Sequence, residues 1–231
     1  MRLAAGLLAA FFASSAAHAE IVGAEFADPT PRYDHAILGD ALEWGALRLR
    51  LKDGRHLALT LPKTRVFEDT APRLADLDGD GAPEVIVVET DIRRGAQLAV
   101  YGEAGKIAAT SFIGQTHRWL APIGADDLDG DGLTEIAYIE TPHLGKRLKV
   151  FRLEGDRRVL IAQARGLTNH KIGDPFIQGG IAVCAGRKTI LTANANWTRI
   201  IATTLQGGKL RSRDLAPYDG PDGFGRIKTC G

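Results

Sequence analysis

The sequence predicts an all-β fold built from repeated four-stranded units, and three observations carry that prediction. Two acidic segments, beginning at Asp76 and Asp127, match position by position at an offset of 51 residues. Short runs alternate apolar and polar side chains with period two, the mark of half-buried strands. No convincing amphipathic helix follows residue 19.

Residues 1–19 stand outside the fold. Arg2 is a short charged start, residues 3–13 are apolar but too few to span a bilayer, and Ala17-His18-Ala19 is an A-x-A cleavage site before Glu20. They read as a signal peptide, so the protein is expected in the periplasm or secreted, with residues 20–231 as a single domain. Residues 45–51 place Leu47, Leu49 and Leu51 on one face and Arg48 and Arg50 on the other; 55–61 repeat the pattern with Leu57, Leu59 and Leu61. The first copy of the repeat gives strands near 72–75, 84–90, 96–101 and 105–110. The second gives strands near 122–126, 135–141, 146–152 and 157–163, with Gly, Pro, Asp and Asn between them. Ala71-Pro72 answers Ala121-Pro122, and Leu98-Ala99-Val100-Tyr101 answers Leu148-Lys149-Val150-Phe151. A further set is expected near 177–183, 187–193, 197–204 and 208–213. The units lie near 33–67, 71–115, 121–168 and 172–214. Their size and spacing predict a β-propeller-like domain of about four units, with a five-bladed ring or an open β-sandwich as alternatives. To cover its edges, residues 21–26 are expected to lend a strand to the last unit. A Cys184–Cys230 disulfide, favoured in an oxidising compartment, is expected to lock the tail.

Charge excludes some functions. The chain has 29 Lys and Arg against 28 Asp and Glu. A balance so close to neutral offers no basic field for nucleic acid or anionic lipid. No later stretch is apolar enough to span a membrane.

The acidic segments carry the chemistry. The first reads D-x-D-x-D-G-x-x-E, with Asp76, Asp78 and Asp80 at positions 1, 3 and 5, the Ala82 carbonyl at 7 and Glu84 at 9. The second supplies Asp127, Asp129, Asp131, the Leu133 carbonyl and Glu135. Alternate spacing lets one tight turn aim hard oxygens at a point, and Gly81 and Gly132 permit the backbone it needs. Calcium takes 6–8 such oxygens in flexible geometry, whereas magnesium demands a stricter octahedron, so two calcium sites are expected. Position 12 falls on Val87 and Tyr138, and strand residues follow the loops, which excludes an EF-hand.

An acidic loop leading straight into a strand resembles the FG-GAP/VCBS-type repeats of integrin α-subunit propellers and of many exported bacterial proteins. Residues 76–81 and 127–132 carry the resemblance, which spans about 71–152. It implies a loop that ties two neighbouring strands together through calcium. Glu84 and Glu135 replace the commoner Asp at position 9, and the Phe-Gly-Gly-Ala-Pro segment survives only as Ala71-Pro72 and Ala121-Pro122.

Other motifs are weaker. His35, His56, His117, His143 and His170 form no HxH, HxxxH or HExxH pattern and read as polar loop residues. No G-x-S-x-G or phosphate cradle occurs. Trp44, Trp119 and Trp197 read as packing residues rather than a sugar platform. The expected function is therefore a non-catalytic, calcium-binding module that scaffolds or binds a protein or glycan. The alternative is a hydrolase or lyase using a central channel, with His117, His170 and nearby acids; side chains converging in one pocket would favour it.

Overall fold

The computed structural model describes residues 19–39, 41–155 and 157–227. The segment read as a signal peptide, apart from Ala19, and Cys230 lie outside the described residues. Among the described residues, seventeen strands and one short helix follow in order. The first four are β1 (Ile21–Thr30), β2 (Glu43–Leu51), β3 (His56–Thr60) and β4 (Arg65–Phe67). Then come two antiparallel meanders: β5 (Arg73–Ala75), β6 (Glu84–Asp91), β7 (Gly95–Gly102) and β8 (Gly105–Ala109), and β9 (Leu120–Asp126), β10 (Glu135–Glu140), β11 (Arg147–Glu154) and β12 (Arg157–Arg165). After the two-residue β13 (Leu167–Thr168) come β14 (Gly180–Cys184), β15 (Arg187–Asn194), β16 (Arg199–Gln206) and β17 (Lys209–Pro217). The helix α1 (Asp222–Arg226) closes the described chain.

The all-β expectation holds, and most strands fall close to their expected positions. β4 pairs with both β2 and β6, joining β1–β8 into one sheet; β9–β12 form a second sheet and β13–β17 a third.

Sequence pattern shows where each strand sits. β2 alternates: Leu47, Leu49 and Leu51 are buried while Arg48 and Arg50 are exposed, so one face looks at solvent. β6 reads Glu-Val-Ile-Val-Val-Glu-Thr-Asp and is buried on both faces. Its Val85 and Val87 pack with Leu47 and Leu49, and its Ile86 and Val88 pack with Trp119, Ile136 and Tyr138. β10 hands the stack on, with Ala137 and Ile139 meeting Ile190 and Ile201. Period two therefore deals alternate residues into successive cores between sheet faces. The outer strands β12 and β17 expose Arg157, Arg158, Arg165, Lys209, Arg211 and Arg213, charges that guard an edge against pairing.

The strand expected to join the last unit goes elsewhere. β1 pairs antiparallel with β2, with Phe26 opposite Leu47. Pairing across one short connection costs less loop-closure entropy than reaching the far end of the chain. The outer face of the last sheet is covered instead by Phe224 of α1 with Tyr218 and Trp197. Early and late segments meet through loops: the Gly173 N–H donates to the Ile37 carbonyl at 3.0 Å. Gly39 is required there, because its φ is +83° and a Cβ would lie 2.5 Å from the Gly173 oxygen.

Candidate metal centre and the opposite loop end

Each acidic loop joins the first two strands of its meander, 76–83 between β5 and β6 and 127–134 between β9 and β10. Gly79 and Gly81 have φ of +80° and +87°, and Gly130 and Gly132 have +83° and +88°, so both turns need glycine at the same two places. The leading aspartates shape the turns. Asp76 accepts from the Gly79 N–H at 2.8 Å and the Gly81 N–H at 3.0 Å; Asp127 accepts from Gly130 at 2.7 Å and Gly132 at 3.0 Å. Glu84 and Glu135 accept from the Leu77 and Leu128 N–H groups, both at 2.9 Å, and those leucines are buried beneath the loops.

These turns gather oxygen. Asp76, Asp78 and Glu84 each offer a carboxylate oxygen, all within 4.8 Å of one another, and so do Asp127, Asp129 and Glu135. Asp80 and Asp131 turn instead to the Ala82 and Leu133 N–H groups, at 2.7 and 2.9 Å. The structure thus brings positions 1, 3 and 9 together. Burial pushes the Glu84 carboxyl above its ordinary range, and the charges of Asp78 and Asp80 push it further. Glu135 is raised by burial too, with Asp129 adding and Arg152 opposing. The all-oxygen, repelling donor set fits a hard cation.

The loops part company at one residue. Arg152, which pairs with Glu135 across β10 and β11, turns its guanidinium into the second loop. Its Nε donates to Glu135 Oε1 at 2.6 Å, while Nη2 contacts the same oxygen and lies 2.9 Å from Asp131 and 3.6 Å from Asp129. In the first meander the corresponding position, one beyond the Val85–Tyr101 pair, is Gly102. The last sheet has no such loop, because β14 turns into β15 through Ala185-Gly186, both at positive φ, as a tight hairpin turn requires.

The opposite end holds the histidines. His35, His117, His143 and His170 converge there from four different loops, whereas His56 lies exposed on β3. They had read as polar loop residues, with His117 and His170 brought together only under the alternative of a central-channel enzyme. Their spacing gave no signal because each comes from a different connection. The tryptophans pack: Trp119 is 2% exposed and donates to the Glu68 carbonyl at 2.8 Å, Trp44 stacks on Phe26, and Trp197 meets Tyr218 edge to face. Cys184 is buried on β14 beside Phe224.

Residues 76–138 match the model of the FG-GAP-like repeat, from Asp76 at the start of the first acidic loop into β10. The chain carries an FG-GAP-type repeat. No curated protein matches it. Among solved structures it is similar to the exotype rhamnogalacturonan lyase YesX, at 17% identity and a TM-score of 0.45, over 72% of this chain and 34% of that one. It is also similar to the rhamnogalacturonan lyase YesW, at 16% and 0.44 over 78% and 43%, and to the Bacillus licheniformis rhamnogalacturonan lyase PL11, at 19% and 0.45 over 79% and 44%. The chain spans less than half the length of these proteins, and such identities say nothing of activity.

Proposed function

We propose that this protein is an exported, calcium-stabilised β-repeat module that binds or scaffolds a protein or glycan without catalysing a reaction. The observation that carries the reading is the duplicated three-carboxylate cluster within the FG-GAP-like repeat. Asp76, Asp78 and Glu84 would hold one ion and Asp127, Asp129 and Glu135 the other. Asp80, Asp131 and the carbonyls of Ala82 and Leu133 are the further oxygens, with water, toward the 6–8 that calcium takes. The ion neutralises the loop and ties two strands at their shared end. Sites of extracellular affinity, about 10⁻⁴–10⁻³ M, fill outside the cytoplasm, so folding would be completed after export. Among the described residues no helix is long and apolar enough to cross a membrane.

Thermal unfolding of the metal-stripped protein, with and without calcium, tests the reading. At a hundredfold excess over Kd, each filled site should contribute about 2.7 kcal/mol. Asp78→Ala combined with Asp129→Ala should erase the calcium-dependent rise; a double variant that still responds fully to chelator sinks the assignment. The mature N-terminus is expected at Glu20. Mass spectrometry before and after reduction checks the Cys184–Cys230 bond.

A further inference from the structure

The two acidic loops differ in what stands beside them. Arg152 occupies the flank of the second. At the matching place in the first meander Gly102 has no side chain, and a depression of about 200 Å³ opens there. Asp78, Asp80 and Glu84 of the loop line one wall. Gly102, Glu103 and Ala104 of the β7–β8 turn line another, and Ala19 and Ile21 line a third. The junction between the expected signal peptide and the fold therefore lies against a cluster of negative charge.

That junction is tied down on both sides, where a chain start otherwise frays. The Ala19 N–H donates to Glu103 Oε2 at 2.8 Å. The Lys52 N–H donates to the Glu20 carbonyl at 2.8 Å, and Lys52 Nζ pairs with the Glu20 carboxylate at 2.6 Å. Ile21 is 3% exposed and packs in the cluster of Leu49, Leu51 and Tyr101, with Ala19 against the same cluster. Glu103 is fixed in turn: its side chain is 19% exposed, and its Oε1 accepts from Arg55 Nη2 at 2.7 Å. Ala17-His18-Ala19 puts the expected cut between Ala19 and Glu20. The cut takes the Ala19 N–H away from Glu103. It creates in exchange, one residue on, an α-ammonium with three donors and a positive charge. One residue spans at most about 3.6 Å, so the new nitrogen arises within roughly 6.5 Å of Glu103 Oε2.

We propose that this depression is the seat of the mature amino terminus, in which the Glu20 α-ammonium pairs with Glu103 and brings the first loop the positive charge that Arg152 brings the second. The inference rests on the export reading of residues 1–19 and deepens it, because it makes the released terminus part of the metal centre. An α-amine of ordinary pKa, about 8, is charged at and below neutral pH. A void of 200 Å³ is about 7 Å across if round, inside the Debye length of about 8 Å at physiological salt. The ammonium therefore acts on Asp78, Asp80 and Glu84 from the rim without taking an ion's place. In the metal-free protein it eases their repulsion. Toward a bound cation it has the same sign, so it loosens calcium. Removal of the signal peptide sets both effects at once.

The test compares the whole mature protein with the same chain acetylated at its α-amine alone, at about pH 6.5, where the free amine is charged. Mass spectrometry of the exported protein first fixes its start. Acetylation should lower the Tm of the metal-free protein by about 1–3 °C, the size of one partly exposed ion pair in a chain this long. In Asp129→Ala, which disables the second loop, acetylation should tighten calcium roughly two- to fivefold by calorimetric titration. The opposite signs separate charge from packing: a terminus that only fills space would lower Tm and leave calcium unchanged or weaker. Glu103→Gln should cut the acetylation effect on Tm to less than half. That variant also loses the Arg55 contact, so only the difference between acetylated and free chains is read in each background. An exported protein that starts elsewhere overturns the cleavage reading and this inference with it. A start at Glu20, with Tm and calcium affinity untouched by acetylation, overturns the inference alone.

Discussion

The two acidic loops share their aspartates, their glycines and their closing glutamate, yet they are not equivalent. In the first, Gly102 leaves the carboxylates facing one another with no cation among them in the described structure. In the second, Arg152 supplies a guanidinium that touches Glu135 and Asp131 and approaches Asp129. On the proposed calcium reading, an external ion would relieve the repulsion of the first loop, whereas in the second it would first displace the Arg152 guanidinium. A duplicated ligand motif therefore does not guarantee duplicated affinity, because the charge a loop meets comes from the strand across the sheet.

The largest expected effect comes from Arg152→Gly, which makes the second loop match the first. Without calcium it leaves the buried Glu135 carboxylate uncompensated, at a cost of about 3 kcal/mol, the low end for breaking a buried pair. For a chain of this size that is roughly 6–12 °C in Tm. Calcium should restore most of the loss; a metal-free variant that melts like the wild type would show that Arg152 is not the loop's cation. Next in size are the single ligand removals. Asp78→Ala should abolish most of the calcium-dependent Tm rise, and Asp129→Ala should remove much less; equal losses would erase the distinction between the loops.

A smaller effect is expected from Gly102→Arg, which gives the first loop the guard of the second. Its Cβ would stand 2.9 Å from Ile107 Cδ1, a flexible side-chain end that can yield, so a cost of about 1 kcal/mol is expected. Calorimetric titration should show calcium binding more weakly at this loop; unchanged binding breaks the argument. The smallest effect separates the two ends of the strands. An unfolded imidazole protonates near its ordinary value of 6.5, whereas folded His143 does so only at about 4. Between these values the unfolded chain binds more protons, so stability is complete above about 6.5 and is lost as pH falls toward 4. His143→Gln should flatten part of that acid limb while leaving the calcium response at neutral pH intact. A changed calcium response would couple ends that the comparison treats as independent.

The acidic loops were legible because their carboxylates lie within nine consecutive residues, where the spacing of positions 1, 3 and 9 is enough to bring three of them together. Arg152 left a faint signal: the repeats run together through Tyr101 and Phe151 and then diverge, Gly102 against Arg152. Reading it as a cation in the loop requires the register that sets it opposite Glu135. The histidines left less. Nothing in the order of residues tied His35 to Glu68 or His143 to His170.

By itself, then, the sequence determined the all-β class, most strand positions and the two oxygen-rich turns. All of these depend on side chains a few residues apart, within the reach of period-two alternation and turn chemistry. Only the tertiary structure decided that β1 pairs with β2, that one acidic loop carries its own cation, and that four loops bring their histidines over a buried glutamate. Those contacts join residues tens of positions apart, and they depend on strand register, loop-closure entropy and the stacking of sheets, none of which a local pattern encodes.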